Sequence, residues 1–155
     1  VLASEFFLTG ANAGSNAGWS GMVMHLTRQD WSTYSELVFS LDTSAMAGFD
    51  DIEVKIEDTR GGDFAKSVQL ASYAPDSSGN WSTYSIPLKD FPGVDVSDVF
   101  YLGFFNPVDT ADVLLAGTLY FDDMHVKQTV CAADSSLAFD AESYPETAAL
   151  ATVTV

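Results

Sequence analysis

Apolar residues in this chain recur at every second position, and helical periodicity is nearly absent. Leu37, Phe39 and Leu41 alternate with Val38 and Ser40, and Val54 and Ile56 alternate with Glu53, Lys55 and Glu57. Val68 and Leu70 alternate with Ser67, Gln69 and Ala71. A period of two puts one face of each strand in a core and the other in water, which antiparallel sheets allow and parallel sheets do not. Clusters of Gly, Pro, Asp, Asn and Ser punctuate the pattern, as in Asp58-Thr-Arg-Gly-Gly-Asp63, Asp76-Ser-Ser-Gly-Asn80 and Phe91-Pro-Gly93. The pattern predicts about eight antiparallel strands, over 5–9, 21–27, 36–42, 52–58, 67–73, 83–88, 99–106 and 118–127. Short strands with turns at this spacing form an all-β sandwich or barrel, and a jelly-roll β-sandwich is the first expectation.

Charge limits what such a sandwich can bind. The 155 residues carry 22 acids against 6 Lys and Arg, a net charge of -16. Phosphate backbones and anionic membrane surfaces would repel it. With 47% hydrophobic and 13% aromatic residues, the chain has the material for a core, unlike a disordered acidic tail. The six cations Arg28, Lys55, Arg60, Lys66, Lys89 and Lys127 are dispersed, so a site for an anionic polysaccharide is hard to assemble. No apolar run approaches the roughly 20 residues of a membrane span. The start shows no basic and apolar leader, and the chain reads as an excised piece of something longer. The lone Cys131 makes no internal disulfide and excludes a Cys-rich metal site. Residues 129–155, rich in Ala, Ser and acids, read as a tail or linker after a domain over 1–128.

No Ser/His/Asp elbow, HExxH helix, Walker loop or dinucleotide fingerprint is present, so no reactive constellation can be named. One hexapeptide echoes, Asp30-Trp-Ser-Thr-Tyr-Ser35 and Asn80-Trp-Ser-Thr-Tyr-Ser85, which reads as two similar entries into strands. Pro87 cannot donate to a ladder and belongs on an edge or at a bulge.

Three stretches carry a family resemblance. They are Gly18-Trp-Ser-Gly-Met-Val with Asp30-Trp-Ser-Thr-Tyr-Ser-Glu-Leu-Val-Phe-Ser-Leu; Trp81-Ser-Thr-Tyr-Ser-Ile-Pro-Leu-Lys-Asp-Phe91; and Gly117-Thr-Leu-Tyr-Phe-Asp-Asp-Met-His-Val126. Together they resemble the galactose-binding-like jelly rolls that serve as carbohydrate-binding modules. The chain is also similar to the C-terminal module of family 3 exo-β-glucan glucohydrolases of marine bacteria. The resemblance implies a secreted or periplasmic bacterial module without catalysis, appended to a glycoside hydrolase and binding a neutral glucan, β-glucan first. The alternatives are a structural domain that packs on the catalytic domain without sugar affinity, and a small lyase or hydrolase.

Asp122 and Asp123 lie together in an apolar strand, so strict alternation would point one carboxylate inward, which is costly unless it is paired or bound to a cation. The resemblance implies a structural Ca²⁺ between the first and last strands, with Glu5 and Asp122 or Asp123 as ligands; the other reading is that Asp122 accepts backbone N–H groups and needs no ion. For the sugar, aromatic faces pack on C–H surfaces while planar polar groups bind hydroxyls. On one sheet face, Tyr73, Tyr101, Phe105, Gln69, His25 and Arg60 would line a groove, with Ala71 and Gly103 leaving room. In the loops Trp19 is the freest aromatic, whereas Trp31 and Trp81 read as packing anchors.

Overall fold

The computed structural model describes residues 2–6 and 20–128. Nine strands occur there: β1 (Leu2–Phe6), β2 (Gly21–Gln29), β3 (Glu36–Asp42), β4 (Asp51–Asp58), β5 (Lys66–Gln69), β6 (Asp76–Ser78), β7 (Trp81–Pro87), β8 (Val99–Val108) and β9 (Gly117–Lys127). They form a five-stranded sheet in the order β1-β9-β3-β7-β6 and a four-stranded sheet in the order β2-β8-β4-β5. Every pairing is antiparallel. Early strands pair with late ones, β1 with β9, β2 with β8 and β3 with β7, and the chain changes sheet at every connection except the hairpins β4–β5 and β6–β7. This nested winding is the jelly roll that the alternation predicts.

The core lies between the sheets. Phe39 of β3 and Phe121 of β9 meet Phe104 of β8, with ring centroids 5.1 Å (Phe39–Phe104) and 4.6 Å (Phe104–Phe121) apart. Ile52, Val54 and Ile56 of β4 are fully buried, so the period-two reading of that strand holds residue by residue. Trp31 is buried, the packing anchor that its position in the echo suggests, and its backbone N–H donates to Val96 O at 2.7 Å. Pro87 ends β7 beyond the reach of the short β6, which pairs only with Trp81, Ser82 and Thr83, so its missing N–H breaks no ladder.

Three sequence expectations need correction. The segment 76–80 is not a plain turn. Ser78 pairs with Trp81 across the two residues Gly79 and Asn80, with Gly79 at φ 63, and so adds β6, a strand the sequence reading missed. The strand over 67–73 stops at Gln69, where a 3-10 turn, Leu70–Ser72, carries Leu70 into the core. Finally, neither Asp122 nor Asp123 points inward. Val38 pairs with His125 but Ser40 with Asp122, so β9 holds one extra residue, and Asp123 takes φ 48. This bulge shifts the phase of the alternation. Leu119 and Phe121 face the core before it and Met124 and Val126 pack there after it, leaving both acids exposed.

Candidate functional site

The four-stranded sheet turns a regular lattice of side chains away from the core. Because Met22 and Met24, Leu102 and Phe104, and Val54 and Ile56 point inward, their neighbours point out. The register sets His25 opposite Tyr101, Val23 opposite Gly103, and Gly21 opposite Phe105. On the other side of β8, Glu57 lies opposite Tyr101, Lys55 opposite Gly103, and Glu53 opposite Phe105. Gln69 extends the row from Glu53.

Two aromatic rings occupy the centre. Tyr101 and Phe105 are four residues apart on β8, yet their ring planes differ by only 8° and their centroids lie 6.3 Å apart. Gly103 between them is what permits this. A Cβ there would come within 2.5 Å and 2.8 Å of Phe105 ring atoms and 3.0 Å of the Tyr101 ring. A Cβ on Gly21 would overlap the Phe105 ring from the neighbouring strand. His25 meets Tyr101 edge-on at 5.6 Å. The Lys55 ammonium sits 5.6 Å from the Tyr101 centroid and 6.0 Å from that of Phe105, with Glu57 Oε2 at 3.7 Å. Burial, then the charges of Glu57 and Glu53, raise the Tyr101 hydroxyl above its ordinary pKa. The arrangement offers near-parallel apolar faces bordered by one ammonium donor and carboxylate acceptors. It has the parts that a hydroxyl-rich ring with C–H faces would use.

Of the residues proposed from sequence, His25, Gln69, Tyr101 and Phe105 share this face. Tyr73 does not. The 3-10 turn takes it out of the alternation, and it packs against the core with its hydroxyl donating to Asp90 at 3.0 Å. Burial and that bond push its pKa up to about 12. Ala71 leaves the face for the same reason; its N–H donates to Asp51 Oδ1 at 2.8 Å.

Arg60 is also elsewhere. Its guanidinium forks onto the fully buried Asp58, at 2.9 Å and 2.6 Å, reaches Gly93 O at 2.8 Å and lies 4.0 Å from the Phe64 ring centroid. Asp58 accepts in addition the N–H groups of Arg60 and Asp95. The guanidinium outweighs desolvation and holds that carboxyl well below the usual carboxylate range. Buried carboxylates need such partners, so this cation is committed to structure. Trp19 lies outside the described residues, as does 129–155.

Of the residues expected to hold calcium, Glu5 lies on β1 and Asp122 and Asp123 on its neighbour β9. Glu5 pairs with Thr118, four positions along β9 from Asp122, which is about 13 Å of strand. Among the described residues no group of three or more His, Cys, Asp or Glu side chains could hold a metal. Asp122 has its pKa lowered, first of all by a hydrogen bond from the Asp123 N–H. The sequence reading left Lys55, Glu53, Glu57 and Gly21 out of the site. The alternation of β4 already set the first three on the wet face, but the glycine's role needs the β2–β8 register.

A family model described as carbohydrate binding domain 30 matches residues 5–128. The chain belongs to that family. It is therefore a carbohydrate-binding domain and not an enzyme. In three dimensions it is similar to the family 30 carbohydrate-binding module of the cellulosomal cellulase Cel9D-Cel44B of Clostridium thermocellum, with a TM-score of 0.56 and 20% identity over 74% of this chain and 70% of the other. A second family 30 module gives 0.55 and 20% over 75% and 63%. The family 11 module from Clostridium thermocellum, in complex with a β-1,3-1,4-mixed-linked tetrasaccharide, gives 0.50 and 20% over 82% and 83%. At this identity the structural likeness concerns the fold. No curated protein sequence matches the chain.

Proposed function

We propose that the outer face of the four-stranded sheet binds a neutral glucan, a β-glucan first, with the sugar rings lying on Tyr101 and Phe105. The observation that carries the proposal is the aromatic pair itself, two rings 8° from parallel across a glycine that leaves them room. His25 and Lys55 would supply donors, and Glu53, Glu57 and Gln69 would supply acceptors to hydroxyls. The carboxylates on the face and the chain's net charge of -16 disfavour uronates and sulfated glycans. The mixed-linked tetrasaccharide held by the family 11 module supports the choice of ligand class.

In this reading the domain works by proximity. Tethered to a secreted or periplasmic polysaccharide-degrading enzyme, it raises the local concentration of the catalytic domain on its substrate without new chemistry. A family 3 exo-β-glucan glucohydrolase is the host that the sequence resemblance supports. Affinity electrophoresis through gels containing laminarin, lichenan or an acidic polysaccharide tests the ligand class. Retardation by a neutral β-glucan alone is expected, and unchanged mobility in every gel would overturn the proposal.

A further inference from the structure

Beyond Phe105 the face runs into a cleft of about 450 Å³, within the range of roughly 300–1,000 Å³ typical of small-molecule sites. Its lining includes Glu53, Gln69, Asn106, Asp112, Val108 and Leu114. The cleft is continuous with the aromatic pair because Glu53 lies opposite Phe105 on one side and Gln69 on the other. It differs from the pair in chemistry, being lined by amides and carboxylates over aliphatic Val108 and buried Leu114, with no aromatic ring.

We infer that this cleft takes one further neutral sugar residue of the glucan lying on Tyr101 and Phe105, and holds it by hydrogen bonds rather than by stacking. The inference rests on the reading of that face given above. The side chains of Glu53, Gln69 and Asp112 make no hydrogen bond to another described residue, so their acceptors, and the amide donors of Gln69, are available to hydroxyls. The Asn106 Oδ1 is taken by the N–H of Ser20 at 3.1 Å, which fixes the amide with its NH₂ as the remaining donor.

The wall is built before a ligand arrives. Asp109 Oδ1 accepts the N–H groups of Ala111 at 2.9 Å and Val113 at 3.0 Å, Leu115 N–H donates to Pro107 O at 2.8 Å, and Val108 bridges to Leu114. A wall held in this way loses little entropy on binding.

The test is calorimetric titration of the full chain with mixed-linked β-1,3-1,4-gluco-oligosaccharides of increasing length. Wild-type affinity should step up about tenfold at the length that first fills the cleft. In Gln69→Ala combined with Asp112→Gly the step should shrink below twofold. Both side chains are exposed, and glycine keeps the φ of 59 at position 112 without strain. A step of undiminished size in the double variant overturns this inference and leaves the face intact. Absence of binding by every oligosaccharide to the wild type overturns both.

Discussion

Strand β4 carries two polar regions that differ in everything but sequence composition. At its end, Asp58 is buried and meets four donor groups, from the Arg60 side chain and the backbone of Arg60 and Asp95. Along its outer face Glu53, Lys55 and Glu57 border two aromatic rings, and the closest ion pair among them spans 3.7 Å. The first region is saturated, and its chemistry is spent on joining β4 to the loop after Phe91. The second ties its charges together only loosely and sets the Lys55 ammonium beside the two rings. In so acidic a protein, a cation near a buried carboxylate is claimed by the fold, whereas the half-buried Glu53, Lys55 and Glu57 beside the aromatic pair form no comparable fork.

The largest effect should come from breaking the saturated region. Asp58→Ala leaves Arg60 and two backbone N–H groups without their acceptor, costing about 3 kcal/mol and lowering the thermal midpoint by about 10 °C. Glucan affinity of the folded variant, read by titration, should stay as in the wild type.

Acid probes the same carboxyl reversibly. Its native pKa is depressed, so the stability it contributes is present above the unfolded value near 4 and is lost as pH falls through the lower native value. Denaturant midpoints should decline below about pH 4 in the wild type and decline less in Asp58→Ala.

On the open face the order reverses. Gly103→Ala forces the Phe105 ring aside and should weaken glucan binding about tenfold while moving the thermal midpoint little. Least should happen at Arg28, which is largely exposed and bonds Asp98 at 2.5 Å and 2.7 Å. Arg28→Ala is expected to shift the midpoint by about a degree or less, because exposed ion pairs contribute little.

Most of the fold was legible because period-two alternation is a local signal. The inward and outward sets of β2, β4 and β8 follow from it directly, and with them the shared face of His25, Tyr101, Phe105 and Gln69. What escaped depends on events that alternation does not encode. The extra residue at Asp123 reverses the phase of β9, and the 3-10 turn after Gln69 removes Tyr73 from the face. The pairing of Arg60 with Asp58 was hidden because Asp58 is also held by the Asp95 N–H, from a loop 37 residues along the chain. Lys55 was visible on the wet face, but its place over two rings needs the register between β4 and β8.

The central claim is that the Tyr101–Phe105 pair is where a neutral glucan binds. Titration of lichenan or a mixed-linked tetrasaccharide into the wild type and into Tyr101→Ala/Phe105→Ala, with the thermal midpoint of each recorded, tests it most directly. Removing two stacking rings should weaken binding by at least a hundredfold, on the scale of about 1.5 kcal/mol for each ring, while the double variant remains folded. Wild-type affinity in a folded double variant would contradict the claim.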